Sequence, residues 1–224
     1  MTKDIPEFRQ PAAVFCDFDG TITESDMIVS IWRQFATPGW EKIKDDALAQ
    51  RITVREGVAK VFASIPSNRR QDIVNFAMKE VRFRTGFRQF LVFCHKHEIP
   101  FYVTSGALNF FLEPIMEPFK FWLSGMYSMP ADCSGPTIKV LHPLACETCG
   151  LCKARAMAEH PGLFSILIGD SVTDLHGATE ANLVFARDRL KGYLDAKGVA
   201  YEPFETFVDI MHTLEDKYLH AARA

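Results

Sequence analysis

The residues best placed to do chemistry are two aspartates one position apart. A short run rich in strand formers, Ala13-Val14-Phe15-Cys16, stops at Asp17 and is followed by Phe18-Asp19-Gly20-Thr21. Side chains on extended backbone alternate sides, so Asp17 and Asp19 leave the strand pointing the same way while Phe18 turns to the other face. Gly20 has the backbone freedom to turn the chain at once and leave amide N–H groups facing the same space. Two carboxylates crowded at a strand mouth repel until a cation, a proton or a substrate resolves them. A divalent cation with magnesium's preference for oxygen ligands is the natural resolver. The competing reading, an acidic turn resting in solvent, is weakened by the specificity of an apolar run joined to Asp-Phe-Asp-Gly-Thr.

The same logic recurs late in the chain. The apolar segment Phe164–Ile168 runs into Gly169-Asp170-Ser171-Val172-Thr173-Asp174. Asp170 is expected to bind the cation directly; Asp174, in the first turn of the next helix, would hold a water beside it or buttress the surrounding amides. Between the two acidic segments, a strand over Ile99–Thr104 is expected to end at Ser105-Gly106, with a helix from Leu108 to Phe119 opening there. A hydroxyl and free amides at a helix start make an anion site. Lys153 precedes a helix expected over Ala154–Glu159 and supplies a cation, although a lone lysine is more often a solvated surface charge.

These residues need a scaffold that brings strand ends together. From Glu24 to Phe83 the pattern is helical, in four segments (Asp26–Phe35, Trp40–Gln50, Thr53–Ser64, Asn68–Phe83) broken at Thr37-Pro38-Gly39, Arg51-Ile52 and Ile65-Pro66-Ser67. Thr53-Val54-Arg55-Glu56 predicts a capping box. From Gly86 onward helix and strand alternate, which predicts an α/β fold with a doubly wound, Rossmann-like parallel sheet. Residues 1–23 and 84–224 are then the core, and residues 24–83 a four-helix cap inserted after the first strand. Such a cap would shield the site from bulk water. Within the core, residues 120–152 are expected to form a flap: a β-hairpin of Phe121–Met129 with Thr137–Leu141, leading into a cysteine-rich turn. Cys146, Cys149 and Cys152, with Cys133 upstream, could offer zinc four sulfur ligands; reduced thiols in a turn are the alternative.

The segment around Asp17 resembles the first motif of the haloacid dehalogenase superfamily, and Ser105, Lys153 and the Gly169–Asp174 segment resemble its second, third and fourth. With ITVREGVAKVF, HEIPFYVTSG, CGLCK, IGDSVTDLHGA and FARDRL, the likeness extends over nearly the whole chain, to the phosphoserine-phosphatase-like branch with a helical cap. This resemblance implies a magnesium-dependent phosphatase for a small phosphate ester, working through an aspartyl phosphate. Asp17 would be the nucleophile and Asp19 the general acid and base. Phe18, Ser105, Gly106 and Lys153 would lie on the phosphate side. Asp17, the Asp19 carbonyl, Asp170 and Asp174 would serve the metal. Asp26 either faces the substrate or simply caps the first cap helix. A phosphoryl transferase and a non-catalytic zinc-stabilised interaction module remain as rival readings.

Composition narrows the classes further. With a formal charge of −3 and no basic run longer than Arg69-Arg70, nothing suits a nucleic-acid backbone. The opening residues MTKDIPEFRQP hold no apolar stretch, and nowhere is there an apolar run of membrane-spanning length, so neither a secretory signal nor a membrane partner is expected and the protein should be cytoplasmic. Exposed aromatics on the cap would offer a homodimer contact.

Overall fold

Strand β1 (Ala12–Cys16) forms because alternate residues enter two separate cores: Ala12, Val14 and Cys16 on one side of the sheet, Ala13 and Phe15 on the other. The computed structural model describes residues 11–147 and 149–219; residues 1–10, which carry most of the polar opening segment, lie outside them. After β1 and a wide turn at Phe18–Ile22 come helices α1 (Met27–Phe35), α2 (Trp40–Leu48), α3 (Val54–Phe62), α4 (Arg70–Glu80) and α5 (Phe87–Lys96). Strand β2 (Phe101–Leu108), helix α6 (Asn109–Met116) and strands β3 (Gly125–Met129), β4 (Ala131–Asp132) and β5 (Lys139–Val140) follow. The chain continues through α7 (Lys153–Ala158), β6 (Phe164–Gly169), α8 (Leu175–Glu180), β7 (Leu183–Ala186), α9 (Asp188–Lys197), β8 (Glu202–Pro203) and α10 (Phe207–Leu214).

Six of these strands make one parallel sheet in the order β3-β2-β1-β6-β7-β8. The chain winds outward from β1 to β2 and β3, then returns to the other side of β1 for β6. The order therefore reverses between β1 and β6, where open α/β sheets place their ligands. Helices α5, α6 and α10 cover one face and α7, α8 and α9 the other, so the sheet is doubly wound. No helix among the described residues is long and apolar enough to cross a membrane.

The inserted helices leave and rejoin the core on two adjacent antiparallel legs. Thr23 bridges Phe83, Glu24 N–H donates to the Arg82 carbonyl at 2.9 Å, and Arg84 N–H donates to the Ile22 carbonyl at 2.9 Å. Trp32 lies against Trp40 and Phe62, and these rings belong to the same apolar cluster as β1. The exposed aromatic surface expected for a dimer is missing from this segment: Trp32, Trp40 and Phe62 are buried and Phe35 and Phe76 half-buried, because the short helices consume their aromatics holding one another together.

Three local expectations need correction. The capping box at Thr53 is half made: its hydroxyl accepts from Glu56 N–H, but the Glu56 carboxylate turns to Lys60, one helical turn on. The complete box is instead at Thr206, where the hydroxyl and the Asp209 carboxylate each accept from the other's backbone N–H. Strand β2 does not stop at Ser105 but continues to Leu108, with its pairing to β3 shifting register between Thr104 and Leu108. Residues 121–129 do not form a hairpin arm. Their first part is helical, and β3 joins the edge of the main sheet, leaving only the two-residue strands β4 and β5 as the antiparallel hairpin.

The rings of Phe87, Phe90 and Phe207 lock α5 to α10, with Phe207 fully buried and its centroid 5.3 Å from each of the other two. Replacing Phe207 by Ala should lower the unfolding free energy by about 3–5 kcal/mol, measured by urea denaturation.

Candidate active site

Asp17 is the first residue beyond β1, Asp170 the first beyond β6, and Ser105 lies in the adjoining strand β2. Because these three strands are neighbours, their ends converge on one hollow. Asp174 sits immediately before α8 and folds back over the end of β6, its carboxylate accepting from the N–H groups of Asp170 and Ser171 at 3.0 Å each. Gly169 is obligatory there, since a Cβ would collide with the Asp174 side chain. Gly20 answers the same need on the opposite side: it holds a φ of +77°, and a Cβ would stand 2.5 Å from an Asp170 carboxylate oxygen.

One carboxylate oxygen each from Asp17, Asp170 and Asp174 lies within 4.8 Å of the others. Lys153, the first residue of α7, enters this group fully buried, 2.7 Å from Asp17 and in direct contact with Asp174. Burial alone would pull the Lys153 ammonium down, but the two carboxylates together hold its proton affinity above the ordinary lysine range. Burial pushes Asp17 up to about 7, with Lys153 restraining the rise and Asp174 adding to it. Burial, then Asp17 and Asp174, push Asp170 up to about 10. One ammonium does not neutralise three carboxylates. Hard oxygen donors gathered this closely, with burial and like charge raising the proton affinity of Asp17 and Asp170, fit a divalent cation of the magnesium type.

Asp19 faces elsewhere. Its carboxylate accepts from the N–H groups of Met27 and Ile28 at 2.9 and 3.2 Å, at the start of α1, and from the Ser105 hydroxyl at 3.3 Å. Burial, Asp26 and Asp17 push it well above the usual carboxylate range, against the pull of those amides. Ser105 is buried, and its oxygen also accepts from Ala107 N–H, so the hydroxyl is fixed by its own strand rather than by a helix start. Gly106 faces the cavity described below, whereas the Phe18 ring is buried in the apolar core, leaving only its backbone near Asp17. Asp26 caps α1, accepting from Val29 N–H at 2.8 Å. It also borders a cavity of about 590 Å³ that reaches Asp170.

A second cavity, of about 670 Å³, opens over Lys153 and Gly106 beneath α2 and α3. Ile28, Ala47, Val54, Val58, Val172 and Thr173 border both, so the two are halves of one cleft with a largely apolar dividing wall.

Two residues given no role from the sequence complete the site. Arg84 is buried and donates to the carbonyls of Gly20, Thr21 and Thr23 at 2.6, 2.8 and 2.9 Å, clamping the turn after Asp17. Thr21 donates its hydroxyl proton to Asp170 at 3.2 Å. The signal for Arg84 was a charge set between Phe83 and Phe87 where the inserted segment returns to the core. The cysteine turn also differs from the expected donor set: Cys146, Cys149 and Cys152 gather with His176, while Cys133, beyond β4, packs against the main core.

The family model for haloacid dehalogenase-like hydrolases matches residues 14–179, which span β1, the inserted helices and the Asp170–Asp174 loop. The chain belongs to that family. Among curated haloacid dehalogenase relatives, it is 41% identical to the 2-hydroxy-3-keto-5-methylthiopentenyl-1-phosphate phosphatase of Geobacillus kaustophilus strain HTA426, across 96% of this chain and 97% of that one. It is 42% identical to the protein of the same name from Brevibacillus brevis strain 47, across 90% and 94%. Among solved structures, a phosphoserine phosphatase held as a phospho-aspartyl intermediate analogue superposes with a TM-score of 0.69, covering 92% of this chain and 99% of that one at 17% identity. That likeness concerns the fold alone.

A carboxyl whose folded-state pKa exceeds its unfolded one contributes stability that is complete below the unfolded value and lost as pH rises through the folded value. For Asp17 that window runs from 3.8 to about 7, and for Asp170 from 3.8 to about 10. The chelator-treated protein should therefore melt at progressively lower temperature as pH is raised from about 5 to about 8, and added magnesium should restore more of the loss at the upper end. Scanning fluorimetry across that range, with EDTA and with magnesium, measures both slopes.

Proposed function

We propose that this chain is a phosphoric monoester hydrolase that removes the phosphate of 2-hydroxy-3-keto-5-methylthiopentenyl 1-phosphate, an enol phosphate of methionine salvage. The observation that carries the reading is near-full-length identity of about 40% to phosphatases of that name. The apolar wall shared by the two cavity halves supports it, because a methylthio tail needs an uncharged surface beside a charged phosphate site.

In this reading Asp17, ionised beside Lys153, attacks phosphorus in line with the leaving oxygen. Asp19, whose proton affinity is raised, gives its proton to that oxygen as the phosphorus–oxygen bond breaks. The result is an aspartyl phosphate on Asp17. A water then attacks phosphorus and passes a proton to Asp19, and the phosphorus–oxygen bond to Asp17 breaks to free inorganic phosphate and restore the carboxylate. Ser105 orients Asp19 and borders the phosphoryl oxygens. Lys153 compensates charge on Asp17 before the attack and on the phosphoryl group during it. Asp17, Asp170 and the Asp19 carbonyl would hold magnesium; the Asp174 carboxylate, engaged by Lys153 and two amides, acts as their buttress. Magnesium bound there supplies positive charge that lets a dianionic ester approach a carboxylate cluster. The inserted helices serve as a lid over the cleft.

Phosphate release from freshly generated enol phosphate, compared with phosphoserine and a set of sugar phosphates, tests the substrate. The enol phosphate should be turned over fastest, and EDTA should abolish release. Faster hydrolysis of phosphoserine would sink the substrate assignment while keeping the chemistry. Asp17→Asn should be inert. Asp19→Asn should lose ~10² to 10⁴ in rate yet still trap label on Asp17. Label recovered on any other residue would refute the mechanism.

A further inference from the structure

The cysteine turn has a partner far from it in sequence. Cys146, Cys149 and Cys152 converge on His176, the second residue of α8, with one ligand atom from each within 4.8 Å of the rest. His176 Nδ1 stands 3.4 Å from Cys152 Sγ and 3.8 Å from Cys146 Sγ. Zinc bonds of about 2.3 Å to sulfur and about 2.05 Å to nitrogen at tetrahedral angles require a sulfur–nitrogen edge of about 3.6 Å and a sulfur–sulfur edge of about 3.8 Å. The two observed separations straddle the first value. Cys149 N–H donates to Cys146 Sγ at 3.3 Å, and an amide aimed at a sulfur favours the thiolate that a metal needs. Three sulfurs and an imidazole are soft and borderline donors, unlike the oxygens of the aspartate cluster, so this group selects zinc over magnesium.

We propose that Cys146, Cys149, Cys152 and His176 bind one structural zinc ion that fastens the start of α7 to the start of α8. Cys152 immediately precedes Lys153, and His176 lies two residues beyond Asp174. The ion therefore braces, from outside, the backbone on both sides of the buried Lys153–Asp174 pair. The two helix starts already pack closely: a Cβ on Gly177 would lie 2.9 Å from the Lys153 Cβ. His176 is exposed, which gives the ion a route from solvent. On loading, the three thiols release their protons and the imidazole binds in its neutral form, so affinity rises with pH. The site is independent of the substrate assignment.

The test uses the full chain, purified under reducing conditions and equilibrated with zinc in saturating magnesium, so that the aspartate cluster is occupied by magnesium. Elemental analysis should find one zinc per chain. Cobalt in place of zinc should give the thiolate-to-metal charge-transfer band and the tetrahedral visible absorption that carboxylates do not produce. His176→Ala, a surface change, and Cys149→Ser should each reduce bound zinc from one to none, whereas Cys133→Ser should keep it. Zinc retained by the His176 variant, zinc lost from the Cys133 variant, no thiolate–cobalt band, or a disulfide among the three cysteines of the reduced preparation would each overturn the proposal.

Discussion

Three aspartate carboxylates gathered around one buried ammonium set the terms for the rest of the molecule. At this depth their mutual repulsion is not screened by water, and burial together with that repulsion lifts the proton affinities of Asp17 and Asp170. Lys153 is the only permanent answer the chain itself supplies among the described residues, and it touches two of the three carboxylates. The topology makes the crowding unavoidable. Asp17 and Asp170 follow adjacent parallel strands that end in step, on the two sides of the point where strand order reverses.

Holding such a cluster requires a stiff frame. Gly20 and Gly169 give up their side chains so that Asp170 and Asp174 can occupy the space. Arg84 collects three carbonyls of the turn after Asp17, drawing it back toward the returning leg of the inserted segment. The charged site thus rests on backbone groups turned toward side chains. Such a frame loses little when a ligand exchanges, because the protein dipoles are already oriented.

Much of this was legible from the chain. Apolar runs that end abruptly in Asp17 and Asp170 mark parallel strands delivering carboxylates, since a strand buried on both faces must be apolar throughout and cannot carry a charge until it leaves the sheet. What could not be read were features set by tertiary partners. Ser105 and Gly106 look like a strand terminus, yet pairing with β3 carries the strand on to Leu108. Residues 125–129 alternate like a hairpin arm but find a better partner in the open edge of β2. Locally Arg84 shows only as a charge among aromatic neighbours and His176 as a polar residue early in a helix; their roles appear when the inserted segment returns to Gly20 and when α8 packs beside the cysteine turn.

The amides of Met27 and Ile28 that Asp19 accepts belong to the first turn of α1, the first helix of the inserted segment. Those donors favour the charged form of the carboxyl, whereas burial and Asp26, the residue that caps the same helix, favour the protonated one. One helix start therefore works on the acid from both sides, its amides drawing the proton away and its capping carboxylate keeping it on. The acidity of Asp19 is a property of where the inserted segment begins as much as of the strand that carries the residue.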